Sequence, residues 1–418
     1  MASRGFAHKR RRFRLSLLIY DTRYRSYTIQ LFALFVFIAF IAWLVNNTLH
    51  NLASQGKDLD FSFLFSSAGY KINQTLIDYD IHSTNLRAAI VGLLNTLLVA
   101  VLGCITATVI GTLVGVFRLS KNWLISRLMG LYVETFRNVP VLLWILLTMA
   151  ILTEQLPAPR DFRGEDPAAT MLLNDSVAIT NRGFYLPMPK FSRDLDQRFD
   201  NSLDINFNSV LILFVLASSI YASHRIKLRA DRIQKQTGNR PTIWHQQAAV
   251  LVLPTLGLLY ALGFHLEYPE LTGFNFDGGL RLRNSLIALW VALSLYTAAF
   301  IGEIVRGGIM AISKGQSEAA ESMGLGPVRM MQLVILPQAM RVIVPPVISQ
   351  YLSLTKNTSL AIAVGYMDIT GTLGGITMNQ TGRELECILL LMLVYLLISL
   401  AISAVMNWYN SRVALVER

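Results

Sequence analysis

An all-α membrane protein with about eight crossing helices is the fold that this sequence predicts, on three observations. Hydrophobic residues fill 53% of the 418 positions and charged residues only 15%, whereas soluble domains carry about a quarter charged residues. The apolar residues gather in runs of roughly twenty, the length at which a helix rising about 1.5 Å per residue crosses ~30 Å of hydrocarbon. The basic residues cluster in short segments between particular runs, as they do in cytoplasmic loops.

The spans fall near 27–46, 88–116, 124–153, 207–222, 247–264, 284–305, 341–365 and 387–408. The first apolar run, Ile29 to Val45, follows Lys9, Arg10, Arg11, Arg12, Arg14, Arg23 and Arg25. It exceeds a signal-peptide core and lacks a small-residue cleavage site, so it reads as a retained span. Starting from the inside, 118–127 carries Arg118, Lys121 and Arg127. The stretch 223–246 carries Arg225, Lys227, Arg229, Arg232, Lys235 and Arg240 against Asp231. Both are then cytoplasmic. Segment 154–206 falls outside, and its Glu154, Asp161, Glu165, Asp166, Asp175, Asp194, Asp196, Asp200 and Asp204 outnumber six basic residues. Charge and hydropathy thus agree on an even count with both termini in the cytoplasm.

Several function classes are excluded. The net charge of +11 suits polyanions in principle, but its confinement to inter-span segments points to anionic lipid and not to nucleic acid. Cys104 and Cys387 sit at apolar runs and supply no disulfide framework. There is no H-E-x-x-H, no G-x-S-x-G and no His/Cys cluster at ligand spacing, so neither a metal site nor an enzyme is expected. Nor is there a G-x-x-x-x-G-K-[ST] loop to cradle ATP phosphates.

Two spans carry internal irregularities. The third is thirty residues, about 45 Å as a helix, and is expected to break at Glu134-Thr135-Phe136-Arg137-Asn138-Val139-Pro140, since proline removes a donor and biases the residue before it out of the α region. An interfacial cytoplasmic piece followed by a span from Val139 results. The seventh has Pro345 and Pro346 near its start and Lys356-Asn357-Thr358-Ser359 near its middle. Polar groups at that depth usually face a bundle interior or a water-filled path.

Between the sixth and seventh spans, Ser313 to Gly324 reads as a short cytoplasmic helix. Ser313 and Gln316 have capping-box spacing, the interior holds good helix formers, and Gly324 suits the left-handed position that ends a helix. Gly326-Pro327 offers a second start. Glu318-Ala319-Ala320, Gly324, Val334, Leu336 and Pro337 match the EAA-x3-G-x9-I-x-L-P signature of permeases of ATP-binding-cassette importers, with Val for Ile. The chain therefore resembles that family, in which this helix couples the permease to an ATPase. The resemblance implies ATPase coupling through Glu318, Ala319, Ala320, Gly324, Leu336 and Pro337, with Pro337 fixing the angle of membrane re-entry.

Asn95-Thr96-Leu97, the 134–140 stretch, Glu303-Ile304-Val305-Arg306-Gly307-Gly308-Ile309, Lys314-Gly315-Gln316 and Thr358-Ser359-Leu360 narrow the resemblance to the polar amino-acid, histidine/glutamine branch. Within it, the long chain is similar to Q-type subunits of general L-amino-acid importers. This implies a basic tail 1–26, a first helix and periplasmic segment 27–84, a five-helix core split into 85–153 and 284–410, an insertion 154–283 with two extra spans, and a tail 411–418. It also implies separate ATPase subunits that bind the ATP and magnesium, a related second permease, a periplasmic amino-acid-binding protein docking near segments 47–87 and 154–206, and an inner-membrane location. No cofactor is expected in this chain.

The substrate path is expected along Gln350, Lys356, Asn357, Thr358 and Ser359. Many relatives have Asn-Glu at Ser349-Gln350 and Lys-Asp-Thr-Ser at 356–359. The missing carboxylates suit either a pore for varied amino acids or a pocket carried by the sister permease. Glu134 with Arg137 and Glu303 with Arg306 have i,i+3 spacing. Local pairs would suit these charges, but a cross-helix ion pair between the two sets, holding the closed cytoplasmic mouth, is the expectation adopted. The rival class is a stand-alone secondary transporter or channel for small polar solutes, which also breaks its spans with polar residues; no internal repeat supports it.

Overall fold

The computed structural model describes residues 22–54, 59–164, 166–193, 207–239 and 241–413. Most of the basic tail 1–26, the end of the tail 411–418, and five of the carboxylates counted above (Glu165, Asp194, Asp196, Asp200 and Asp204) lie outside the described residues. Two compact units are present, 1–62 and 63–418. The first holds helix α1 (Thr22–Ser54), longer than the 27–46 expected. Its large apolar side chains, such as Phe35 and Trp43, are exposed, as befits a surface that meets lipid.

The second unit is organised around α2 (Asn85–Arg118) and α7 (Asn284–Met310), which pack along their lengths. Helix α2 begins where extended Thr84 accepts a hydrogen bond from the Arg87 N–H at 3.2 Å, satisfying a donor with no intrahelical partner. Gly103, Ala107, Gly111 and Gly115 recur every four residues and so share one face. Against that seam lie Ala298, Ile301 and Gly302 of α7: a Cβ on Gly111 would meet Ile301 Cβ at 2.7 Å, and one on Gly115 would meet the Gly302 carbonyl at 2.6 Å. Lipid tails are as apolar as leucine, so close packing of small residues, not the hydrophobic effect, holds such a pair together.

Helices α3 (Trp123–Asn138) and α4 (Val141–Glu154) are bent by 107° at Val139-Pro140, where the sequence places the break. Asn122 caps α3, its side chain accepting from the Leu124 and Ile125 N–H groups at 3.0 and 3.3 Å. The bend is stabilised by Phe136 stacked on Trp144, ring centroids 4.1 Å apart and 12° from parallel.

The insertion holds two helices where two extra spans are expected, with short strands in the segments expected as loop. Helices α5 (Phe207–Thr237) and α6 (Trp244–Ala261) pack on each other, and Arg225 to Lys235 ride on the helical extension of α5, not in a loop. Among the described residues, six helices are long and apolar enough to cross a membrane, or seven with the bent pair; α6, opening on Trp-His-Gln-Gln, is not among them. Short strands flank the hairpin: β1 (Ala178–Thr180), β2 (Gly183–Leu186), β3 (Met188–Phe191), β4 (Phe264–Glu267), β5 (Glu270–Thr272), β6 (Asn275–Asp277) and β7 (Leu280–Leu282). They pair antiparallel as β1-β2-β7, β3-β4 and β5-β6, with Phe184 opposite Leu282. Lys190 donates to Glu267 at 2.7 Å across β3-β4 and holds that carboxyl below its usual range. Tyr185, Phe276 and Phe162 form a small aromatic core beside these strands.

After α7 come α8 (Lys314–Ser322), α9 (Pro327–Met330), a wide π turn (Met331–Ile335), α10 (Leu336–Asn357) and α11 (Glu384–Val413). The connection 358–383 folds back onto α2. Asn95 donates to the Gln74 and Met367 carbonyls at 2.8 and 2.9 Å, Thr96 accepts from the Ile369 N–H at 3.0 Å, and Tyr366 donates to the Asn95 carbonyl at 3.1 Å. Gly92 permits this approach, since a Cβ there would lie 2.8 Å from the Asp368 carbonyl.

Candidate functional site

Helix α8 is short and polar, and most of its residues are exposed. Ser313 occupies the position before its first turn with φ −62° and ψ 142°, but its side chain makes no cap hydrogen bond. The capping box expected from Ser313 and Gln316 is therefore not formed; the Gln316 side chain accepts from Gln338 at 3.3 Å instead, tying α8 to the start of α10. The far end follows expectation. Gly324 has φ +77°, its N–H donates to the Glu321 carbonyl at 2.9 Å, and the Leu325 N–H reaches the Ala320 carbonyl at 3.2 Å. This is the Schellman pattern, which needs a left-handed residue at that place.

The three signature residues divide by exposure. Ala320 is 2% exposed and anchors α8, which packs on the π turn 331–335. Glu318 and Ala319 face outward. Beside them Met323, Val328 and Leu333 are exposed by 73%, 69% and 66%, so a charged, small-residue helix is flanked by apolar side chains. Exposed apolar side chains grouped beside a charge are the kind of surface that marks protein contacts in general.

Leu336 and Pro337 open α10 directly after the π turn. The chain runs helically from Pro327 to Asn357, so Pro337 does not set a separate re-entry angle. The widened turn lies where the proline ring would crowd the carbonyl four residues back. Pro345 and Pro346 lie inside α10.

Along α10, Pro345, Ser349, Ser353 and Lys356 are exposed at spacings of three and four, hence on one face. Gln350, Asn357 and Ser359 are half-buried beside it. Thr358 does not belong to this face: it is fully buried and donates to the Thr355 carbonyl at 2.8 Å. Ser359 likewise donates to the Lys356 carbonyl at 2.8 Å, and Tyr351 turns inward to Thr108 at 2.6 Å.

The expected ion pair between the sets Glu134/Arg137 and Glu303/Arg306 is not formed among the described residues. Glu303 accepts from Arg306 at 2.5 and 3.1 Å on its own helix and from Arg118 at the end of α2. Arg137 instead lies over the Phe300 ring, 5.2 Å from its centroid, and Glu134 is exposed. A cross-helix pair exists, but its partner is Arg118, which the sequence marks only as an inside-facing charge. Helix α3 packs on α7 through Tyr132, whose hydroxyl donates to the Leu295 carbonyl at 2.6 Å, and through buried Val133 beside Ala299, which leaves Glu134 on the exposed face.

A bundle of lipid-length helices carrying a short, exposed, glycine-capped helix between two of its spans has the form of a membrane transport subunit. Comparison with known proteins agrees. Residues 241–415 match the family described as "Binding-protein-dependent transport system inner membrane component". The chain is 57% identical over 415 residues, 97% of both chains, to the glutamate/glutamine/aspartate/asparagine transport system permease protein BztB of Rhodobacter capsulatus. It is 42% identical, over 96% of this chain and 95% of that one, to the general L-amino acid transport system permease protein AapQ of Rhizobium johnstonii. A second permease protein of the first system, BztC, is 35% identical over 116 residues, 28% of this chain and 25% of that one. The chain belongs to the family of binding-protein-dependent ABC importer permeases and is an integral inner-membrane protein.

Proposed function

We propose that the chain is the permease subunit of an ATP-driven importer of L-amino acids, and that it takes its power stroke from a separate ATPase seated on Lys314–Ser322. The observation that carries this reading is the division of the signature: Ala320 anchors the helix while Glu318 and Ala319 remain outward. ATP and magnesium bind the ATPase, a soluble amino-acid-binding protein delivers substrate on the opposite side, and both termini lie with the ATPase in the cytoplasm. A second, related permease completes the channel. Two different permease proteins of one system in Rhodobacter capsulatus, BztB and BztC, support a heteromeric pair.

The substrate reading follows from α10. Its exposed face carries Lys356 and uncharged side chains and no carboxylate. Such a face complements acidic and neutral amino acids and disfavours cationic ones, because a buried charge without its counter-ion is costly. The names of the relatives, glutamate, glutamine, aspartate and asparagine among them, support that class.

The test is reconstitution of the complete importer in proteoliposomes. ATP-dependent uptake of glutamate or glutamine, with co-purification of the ATPase lost on Glu318→Lys, is the expected result. Uptake driven by an ion gradient with this chain alone would overturn it in favour of a secondary transporter.

A further inference from the structure

We propose that Arg118 is a positioning residue for energy coupling: its bond to Glu303 makes α2 and α7 one lever, so that a displacement of α8 moves both helices together. The inference rests on the reading that α8 takes the ATPase stroke. Glu303 lies seven residues before the end of α7 at Met310, about 10 Å along the axis, and Ser313 follows directly. Any push on α8 therefore reaches the carboxylate of Glu303 early.

Three features converge at this level. Arg118, the last residue of α2, donates to Glu303 with its side chain only 17% exposed. Directly inward, the seam interlocks without spare volume: a Cβ on Gly115 would lie 2.7 Å from Val305 Cβ, and one on Gly302 would lie 2.9 Å from Val114 Cγ1. The start of α3 is tied to the same point, Ser126 donating to the Arg118 carbonyl at 3.0 Å. The seam fixes the separation of the two helices by close packing of small residues. The charged bond across its open end adds a polar tie beside that packing and joins the last residue of α2 to α7. Arg306, on the same helix as Glu303, neutralises the carboxylate and otherwise donates to Met310 Sδ at 2.7 Å, so among the described residues its bonds stay within α7.

That contrast gives the test. The complete importer, with its ATPase, second permease and binding protein, is reconstituted with Arg118→Gln, Arg118→Lys and Arg306→Gln, and the number of ATP hydrolysed per amino acid imported is measured. Arg118→Gln is expected to raise that ratio about fivefold, the scale of losing one partly exposed ion pair, with assembly and ATP hydrolysis retained. Arg118→Lys keeps the charge and is expected to restore most of the coupling, while Arg306→Gln leaves the ratio near wild type. An unchanged ratio in Arg118→Gln overturns the inference, as does equal uncoupling by Arg306→Gln, which would show that charge compensation alone matters. If Arg118→Gln fails to assemble, the Arg118→Lys and Arg306→Gln pair decides: a ratio more disturbed in the second than in the first overturns the inference. Glu318→Lys serves as the control for the underlying reading. If it leaves ATPase binding intact, the coupling reading fails; if it abolishes binding while Arg118→Gln leaves the ratio unchanged, only the lever fails.

Discussion

Replacing Gly324 tests the docking helix through its backbone alone. The residue sits at φ +77°, and a Cβ built there meets nothing within 4 Å, so a substitution removes no contact and creates no clash. What remains is the left-handed conformation, which costs an L-residue about 1–2 kcal/mol relative to glycine. Helix α8 has nine residues, too few to hold its shape by itself, so loss of its stop signal shifts the population away from the docking-competent form. With about 1.4 kcal/mol per factor of ten, Gly324→Ala is expected to weaken ATPase binding roughly fivefold to tenfold and Gly324→Val more, since affinity scales with the competent fraction. Gly324→Asn, which tolerates the left-handed region, is expected to bind within about twofold of wild type. Titration of fluorescent ATPase onto the permease pair in nanodiscs reads the affinities directly. Tight binding by Gly324→Val, or equal weakening by all three variants, would refute the reasoning, because backbone strain must rank them.

Other substitutions probe the bundle and the path. Gly111→Leu is expected to lower the thermal stability of the purified complex by about 1–3 kcal/mol through overpacking against Ile301 and the Ala298 carbonyl, measured by unfolding in mild detergent. Trp144→Ala removes the stack on Phe136 and is expected to cost about 3 kcal/mol in the same assay, whereas a surface change at Glu134 should be nearly silent. Gln350→Glu adds a carboxylate beside the exposed face of α10 and is expected to shift uptake toward arginine and lysine in competition assays; an unchanged substrate profile would remove that face from the path.

The parts of the fold legible in the sequence are those set by local chemistry. Apolar run length locates the helices, Pro140 locates the bend, and Gly324 with Pro327 locates the end of one helix and the start of the next. What was not legible depends on packing at a distance. The strands of the 154–283 insertion are three or four residues long, too short for an alternating pattern to stand out, and β2 finds its partner β7 almost a hundred residues away. The i,i+3 spacing correctly marks the local pair of Glu303 with Arg306, but the cross-helix partner is not Arg137 of α3: it is Arg118, which arrives only when α2 and α7 lie side by side. A signal for that arrangement does exist: Gly103, Ala107, Gly111 and Gly115 at four-residue spacing mark a face built for close helix contact. Thr358 reads as a polar group on the path, yet its hydroxyl bonds the Thr355 carbonyl one turn back, a local satisfaction that a sequence does not reveal.

Cross-linking from α8 puts the coupling helix to the most direct trial. With Cys104 and Cys387 replaced, Ala319→Cys is introduced into the chain expressed with its partners, and Leu173→Cys, exposed by 78% in the segment 154–206, serves as the opposite-side control. A short thiol-reactive cross-linker is expected to join Ala319→Cys to the ATPase and to leave Leu173→Cys unlinked. An assembled complex in which Ala319→Cys gives no ATPase adduct, or is labelled by an impermeant reagent from outside intact cells, would contradict the mechanism.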